Sequence, residues 1–364
     1  MSLLVCGGIF VEELENRPPR VGGSGFTAAI AAARYGARVS LAGWVGAAQA
    51  EATFARLDEA GVDRVGVLVL DGATTRYRIT DPADLASPMP GVTMGATPTD
   101  AVPALPWSPV VMCFGTPGYD VIDARWLDRA TEGSALLFDR QGSHSMVLGA
   151  RMAATVPATR RILLGNVFEM ATETKEPGLA RITAALPVNG FSAAFVKAGV
   201  WGVLGVAQGG VERPLGAYDV RVRSTIGSGD VFAGVLAGLL SRGVEIFDAA
   251  REAVAAAGAW IASGADVPPV DLPTRAAQVA EGPAVWVDRR RLEELRFELV
   301  LDEGVSSRER ERITRALRYL GMETLFGPGA SVKRIDLRGL GEDAVRDGIT
   351  RAVAWARGEL GEPT

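Results

Sequence analysis

Short apolar runs alternate along the chain with longer segments in which apolar residues recur at helical spacing. Leu3 to Ile9 predicts a buried strand. Thr27 to Tyr35 predicts an alanine-rich helix stopped by Gly36, Arg38 to Val45 a strand, and Glu51 to Ala60 a helix stopped by Gly61. Arg64 to Leu70 and Thr75 to Thr80 alternate as an exposed hairpin would, with Asp71-Gly72 at the turn. Residues 81–109 are rich in proline and glycine and predict a long loop or flap. Strands are expected at Val110 to Phe114, Ala135 to Phe138, Arg161 to Leu164 and Ala193 to Lys197, with helical stretches between them. A strand at Tyr218 to Val222 leads into Gly227, and Val231 to Ser241 and Glu245 to Ile261 predict two helices.

Short apolar strands separated by helices imply an α/β fold, a parallel sheet covered on both faces. Segments near residues 10–20 and 64–108 fall outside that layer and suggest a small separate sheet acting as a lid. Pro268, Pro269, Pro273 and Pro283 punctuate the end of this unit at about residue 282, and from Ala284 the texture changes. Phe297 to Leu301, Glu323 to Phe326 and Arg334 to Leu337 predict strands, and Ser306 to Leu320 and Glu342 to Glu359 predict helices. Residues 284–364 therefore form a small α+β domain of about 80 residues, near the lower end of domain sizes. Ser306 with Glu309 has capping-box spacing, and the mixed charges of that helix read as a solvated face.

Composition adds limits. A chain of 364 residues, 48% hydrophobic and 22% charged, can bury a sizeable core. A net charge of −5 without a basic block argues against nucleic-acid binding. Glu12 and Glu13 follow the first apolar run too soon for a signal peptide, and Val231 to Leu240 is too short to span a bilayer, so no membrane partner is expected. Cys6 and Cys113 lie in strand-like runs, which suits two buried free thiols in a reducing cytoplasm. The single histidine, His144, cannot build a zinc site with them.

Four segments carry candidate chemistry. Ser224-Thr225-Ile226-Gly227-Ser228-Gly229-Asp230 precedes a helix. Its glycines allow successive N–H groups to converge, and the helix N-terminus adds partial positive charge, which together make an anion hole for phosphate oxygens. Asp230 falls in the first turn, where a carboxylate can take a proton from an attacking hydroxyl. The plainer reading is a shaped turn with an acid stabilised by the helix dipole. Gly22-Gly23-Ser24-Gly25-Phe26-Thr27 also opens a helix and suits a small polar ligand, but lacks the dinucleotide spacing. Asn166-Val167-Phe168-Glu169 follows a strand; it can organise Mg²⁺ and its waters near phosphates, or simply cap a helix. Lys197-Ala198-Gly199-Val200-Trp201-Gly202 offers one cation, from one of only three lysines, and two glycines at a strand end.

In order and spacing, these four segments resemble the ribokinase-type (PfkB) carbohydrate kinase family over roughly residues 1–282. Gly22-Gly23 through Gly46 is similar to its N-terminal signature, including Arg34-Tyr35-Gly36-Ala37, and Ser224 to Asp230 to its C-terminal one. The family's Asn-x-x-Glu falls on Asn166 and Glu169, and its nucleotide-side glycine motif on Lys197, Gly199 and Gly202. The resemblance implies a three-layer α/β/α sandwich with a β lid that serves as a homodimer surface. It implies transfer of phosphate from ATP to a hydroxymethyl group of a small sugar-like substrate. Asp230 would be the base and Gly227, Ser228 and Gly229 would supply the anion hole. Asn166 and Glu169 would support Mg²⁺, Asn166 through water, and Lys197, Gly199 and Gly202 would lie along the nucleotide. Glu12, Gly22, Gly23 and Thr27 would face the acceptor.

The sequence departs from the family pattern mostly on the acceptor side. Glu12 stands in place of an aspartate, Thr27 of an asparagine, Ala47-Ala48 of an acidic pair, Ser224 of an aspartate and Ile226 of a threonine. An unusual acceptor is therefore expected. A nucleoside kinase would need walls for a base, for which Phe10, Phe26, Tyr77 and Trp107 are candidates. A catalytically degenerate metabolite-binding regulator is the reading from another class, and the retained Asp230 speaks against it.

Overall fold

The structure is a computed structural model and describes residues 2–14, 17–79, 92–97, 105, 107–115, 134–141, 158–175, 179–185, 191–285, 296–300, 306, 323–325 and 333–336. The chain opens with β1 (Ser2–Cys6), β2 (Phe10–Leu14), β3 (Arg20–Gly22), α1 (Ser24–Arg34), β4 (Arg38–Gly46), α2 (Ala47–Ala60), β5 (Asp63–Leu70), β6 (Arg76–Ile79) and β7 (Val92–Thr93). There follow β8 (Val110–Gly115), β9 (Ala135–Arg140), β10 (Arg160–Asn166), α3 (Val167–Thr174), α4 (Leu179–Ala185), β11 (Ala193–Lys197), β12 (Val203–Ala207), β13 (Val211–Leu215) and β14 (Ala217–Tyr218). Then come α5 (Ser228–Ser241), α6 (Ile246–Ser263), α7 (Leu272–Ala280), β15 (Ala284–Val285), β16 (Arg296–Val300), β17 (Glu323–Leu325) and β18 (Lys333–Asp336).

The nine-stranded main sheet runs β13-β12-β11-β10-β9-β8-β1-β4-β5. All pairings from β11 through β5 are parallel, and β12 and β13 close one edge as an antiparallel hairpin. In β1 the consecutive residues Leu3, Leu4, Val5 and Cys6 are all buried, so both faces of the sheet are covered, as the continuous apolar runs require. Strand order reverses between β1 and β8. In open α/β sheets, the crevice beyond the strand C-termini at such a point is where ligands bind. Both cysteines are free and buried, Cys6 opposite Cys113 on these two strands.

Helices α1 and α5 cross the centre of the sheet in close contact with each other. A Cβ built on Gly234 would stand 2.2 Å from the Ala28 carbonyl oxygen, and one on Gly238 would stand 3.2 Å from Ala32. Alanine on one helix faces glycine on the other, so the two backbones nearly touch. The contacts advance in the same direction along both helices, which puts their N-termini at the same end. Helices α6 and α7 extend this layer, and Ala250, Ala253, Trp260, Leu272 and Ala276 join the same core.

The segments expected to form a lid contribute to a small four-stranded sheet ordered β3-β2-β6-β7, called the lid for its expected role. Arg64 to Leu70 and Thr75 to Thr80 do not form the expected hairpin. The first becomes β5 and pairs parallel with β4 at the edge of the main sheet; the second contributes β6, parallel to β2 in the lid. Alternation identified strands at both places but not their partners. The crossover to the lid occurs where Gly46 donates to Thr74 Oγ1 at 2.9 Å and Thr74 donates to Gln49. Glu13 in the lid accepts from Arg76 and Arg78.

In the tail, β17-β16-β18 form a separate all-parallel sheet near the three expected positions. Both expected tail helices, the Ser306 capping box, His144 and most of 81–109 lie outside the described residues. The strand expected at Tyr218 to Val222 is confined to β14. Among the described residues no helix is long and apolar enough to cross a membrane.

Two outcomes follow. Gly234→Ala forces α1 and α5 apart and costs about 2 kcal/mol or more, read as a lower Tm. In the lid, Arg76 and then Arg78 hold the Glu13 carboxyl below its ordinary value of 4.5. A lowered folded-state pKa stabilises above the unfolded value, and the contribution is lost as pH falls through the folded one. The Tm gap between wild type and Glu13→Gln is therefore present at neutral pH and shrinks on acidification below 4.5.

Candidate active site

The site forms where strand C-termini meet the N-terminus of α5. Gly227 adopts φ 75°, a left-handed conformation that glycine takes without a Cβ clash, and turns the chain into the helix. The Trp260 indole donates to the Ile226 carbonyl at 2.7 Å and fixes this turn from behind. No side chain caps α5. Ser228 N–H is taken by the Thr225 carbonyl, and the first helical bond runs from Val231 N–H to the Gly227 carbonyl. The Gly229 amide has no backbone acceptor outside the helix among the described residues. A half-buried helix N-terminus without a side-chain cap, whose Gly229 amide is left over, suits an anion.

Asp230 lies half-buried in this first turn, and Gln141 Nε2 donates to its Oδ1 at 3.4 Å. Lys197, at the end of β11, brings its ammonium to 3.2 Å from where a Gly229 Cβ would stand. The same ammonium donates to both oxygens of Asp139 at 2.8 and 2.7 Å. Burial pushes the Lys197 pKa down, but Asp139, Glu169 and Asp230 outweigh it, so it is raised and the group stays protonated. Burial also pushes the Asp139 carboxyl up, against the pull of Lys197.

Asn166 and Glu169 close on each other. Asn166 Oδ1 accepts the Glu169 amide at 2.9 Å and Glu169 Oε2 accepts the Asn166 amide at 2.7 Å, a complete capping box for α3. They still lie one strand from Lys197, since Asn166 and Lys197 are register partners. Among the described residues no cluster of three His, Cys, Asp or Glu side chains is disposed to hold a metal. Gly199 and Gly202 shape the 3-10 turn after β11; a Cβ on Gly202 would stand 2.1 Å from the Leu215 carbonyl oxygen.

The two glycine-rich turns are brought together. A Cβ on Gly227 would be 3.6 Å from Thr27 Cγ2. The first turn, however, is already satisfied internally. Gly23 N–H donates to Glu12 Oε1, and Gly25 and Phe26 N–H donate to the Gly8 carbonyl. A Cβ on Gly22 would stand 2.4 Å from the Glu12 carboxyl. Glu12 Oε2 is held by Arg20, whose other nitrogen bonds Asp266 at 2.8 Å and the Ala265 carbonyl at 3.3 Å. The acceptor-facing amides expected in this turn are thus largely engaged, and Glu12 forms a buried ion pair. Of the candidate base walls, Phe26 is in the core, Phe10 and Tyr77 lie on lid strands, and Trp107 is exposed.

Sequence reading missed Asp139, Arg140 and Gln141. Asp139 and Arg140 end β9 and Gln141 follows it; they reach Lys197, Glu173 and Asp230 respectively. A polar triplet with two charges after an otherwise apolar run, Ala135 to Phe138, was the available signal.

The sequence model described as pfkB family carbohydrate kinase matches residues 137–272, which span β9 through the first residue of α7. No curated protein matches the chain. Its fold is similar to ribokinase from Cryptococcus neoformans var. grubii serotype A, solved in complex with ADP, at TM-score 0.61 and 20% identity, covering 77% of this chain and 98% of that one. It is similar to fructokinase from Vibrio cholerae O395, solved with fructose, ADP and calcium, at TM-score 0.60 and 17% identity over 77% and 99% of the two chains. It is also similar to a Burkholderia thailandensis nucleoside kinase solved with inosine, at TM-score 0.58 and 18% identity over 78% and 99%. The fold is therefore ribokinase-like α/β, with a large mixed sheet and a second small one. The family match covers the segment that carries Asn166, Lys197 and Gly227 to Asp230, and these three solved structures, at 20% identity or below, show the fold.

If Glu12 is held by Arg20 rather than by a ligand, Glu12→Ala lowers the Tm of the ligand-free chain by roughly 3–6 °C, because Arg20 loses its buried partner. An unchanged ligand-free Tm returns Glu12 to the acceptor.

Proposed function

We propose that this chain transfers the γ-phosphoryl group of ATP to a hydroxyl of a small sugar-like molecule, with Asp230 as general base. The observation that carries this is Asp230 in the first turn of an uncapped, glycine-opened helix, with Lys197 beside Gly229 and the α1 turn alongside.

The Gly229 amide and the positive end of α5 stabilise the charge that develops on the phosphoryl oxygens, while the Ser228 amide, bonded to the Thr225 carbonyl, shapes the turn. Asp230 takes the proton of the attacking hydroxyl, and the Gln141 donor fixes the orientation of its carboxylate. Lys197, Gly199 and Gly202 border the nucleotide. The donor set fits Mg²⁺ held through waters and phosphate oxygens. The Lys197 ammonium is bonded to Asp139, and Glu169 and Asp230 also act on its charge, so a polyanionic nucleotide needs a further cation here. Asn166 and Glu169, committed to each other at the capping box, reach such an ion through water. When bound, Mg²⁺ supplies charge neutralisation between phosphate oxygens.

The acceptor side is where the chain departs from its family resemblance, and Glu12, Gly22, Gly23 and Thr27 border it. A sugar-like acceptor is favoured over a nucleoside because Phe26 is buried in the core rather than offered as a wall. The lid surface is proposed to mediate a homodimer, and the protein to work in the cytoplasm.

Asp230→Asn lowers kcat by roughly 10²–10⁴-fold and leaves ATP affinity near wild type. ATP consumption against sugars, sugar acids and nucleosides provides the assay. Full turnover by the Asn variant removes Asp230 from the mechanism. If no acceptor supports turnover but one raises the Tm, the chain is a metabolite-binding regulator.

A further inference from the structure

We infer that Asp139 is a positioning residue for the nucleotide side of the site, acting through Lys197. This rests on the kinase reading above and names a residue that the sequence motifs did not.

Three observations carry it. Asp139 ends β9 fully buried, at 0% exposure, and both of its oxygens accept from one ammonium at 2.8 and 2.7 Å. That ammonium retains a 14% exposed side chain and lies beside Gly229, at the uncapped end of α5. It therefore faces the anion hole on one side and the buried carboxylate on the other. The strands fix the geometry: Asp139 pairs with Leu164 of β10, and Lys197 pairs with Asn166 of β10, so the salt bridge spans one intervening strand.

A lysine side chain is a flexible stem with a point charge, and it loses rotamer freedom when it binds phosphate. Two charge-assisted hydrogen bonds to a fixed carboxylate hold it in place before nucleotide arrives. Without Asp139, the carboxylates that still act on the Lys197 charge are Glu169 and Asp230. With its two hydrogen bonds gone, the ammonium is no longer held at one place beside Gly229. Neighbouring Arg140 pairs instead with Glu173 on α3, so adjacent residues of β9 brace different parts of the site.

The test is ADP affinity by calorimetry, without turnover, on the full chain. Asp139→Asn weakens ADP binding by at least about tenfold, Asp139→Glu recovers part of the loss, and Lys197→Met weakens it to a similar extent. The double variant Asp139→Asn/Lys197→Met binds no worse than either single variant, because the two residues act as one unit, and removing both charges avoids an unpaired buried one if a single variant folds poorly. Glu173→Gln breaks the adjacent Arg140 pair; it lowers Tm and leaves ADP affinity within about twofold, separating positioning from general support of the strand end. If wild type binds ADP and Asp139→Asn binds it equally well, or if the losses at Asp139 and Lys197 simply add, the inference is wrong while the kinase reading stands. A wild-type chain that binds no ADP removes the nucleotide site, and the role of Asp139 with it.

Discussion

The approach of the Ala28 carbonyl to Gly234 is the contact on which the rest of the site depends. Any side chain at position 234 would collide with backbone, so the small residues on α1 and α5 set the distance between the helices. Because the helices run the same way, that distance also sets the spacing of their N-termini, and with it the spacing of the two glycine-rich turns. The site is thus an outcome of helix packing first and of local motif second. The sheet adds the other half: its order reverses between β1 and β8, which opens the strand ends beneath those N-termini.

The two turns look alike in sequence and differ in physical state. In the first, amides of Gly23, Gly25 and Phe26 donate to Glu12 and Gly8, so its glycines serve close backbone packing. In the second, Ser228 N–H meets the Thr225 carbonyl, the Gly229 amide has no backbone acceptor outside the helix among the described residues, and the Lys197 ammonium, bonded to Asp139, lies beside it. A glycine-rich helix entry therefore does not by itself identify a ligand site. What distinguishes the two is whether the amides have been satisfied by the protein, which depends on residues distant in sequence.

The same distinction explains what could be read from the chain. Strand positions, the helix behind Asp230 and the four motif segments were legible because apolar runs and glycine punctuation are local signals. The segment from Arg64 to Ile79 was not: period-two alternation reports one covered face but not the covering strand, and here the two halves go to different sheets. The Asp139–Lys197 pair was also hidden, since its members lie 58 residues apart and meet only across β10. Asn166 and Glu169 show a further limit, because a capping box and a hydrated-metal support demand the same residue types at the same spacing.

The acceptor side carries the last step. An aspartate replaced by Glu12 would ordinarily be read as a longer arm toward the same substrate hydroxyls. The extra methylene instead lets the carboxylate meet both Gly23 N–H and Arg20, and Arg20 continues to Asp266 and the Ala265 carbonyl beyond α6. Arg17 extends the same seam to Asp266 and the Gly264 carbonyl. Glu12 and Arg20 stand on lid strands, whereas Asp266 lies in the loop between α6 and α7. A change that looks like altered substrate recognition thus becomes a tie between lid and core. A carboxylate already bonded to a guanidinium and an amide is a weaker acceptor for a ligand hydroxyl than a free one, because the incoming group must compete with charge-assisted partners. Under the proposed kinase reading, acceptor recognition then rests on groups other than the Glu12 carboxylate, so the substitution at position 12 does not conflict with Asp230 as base.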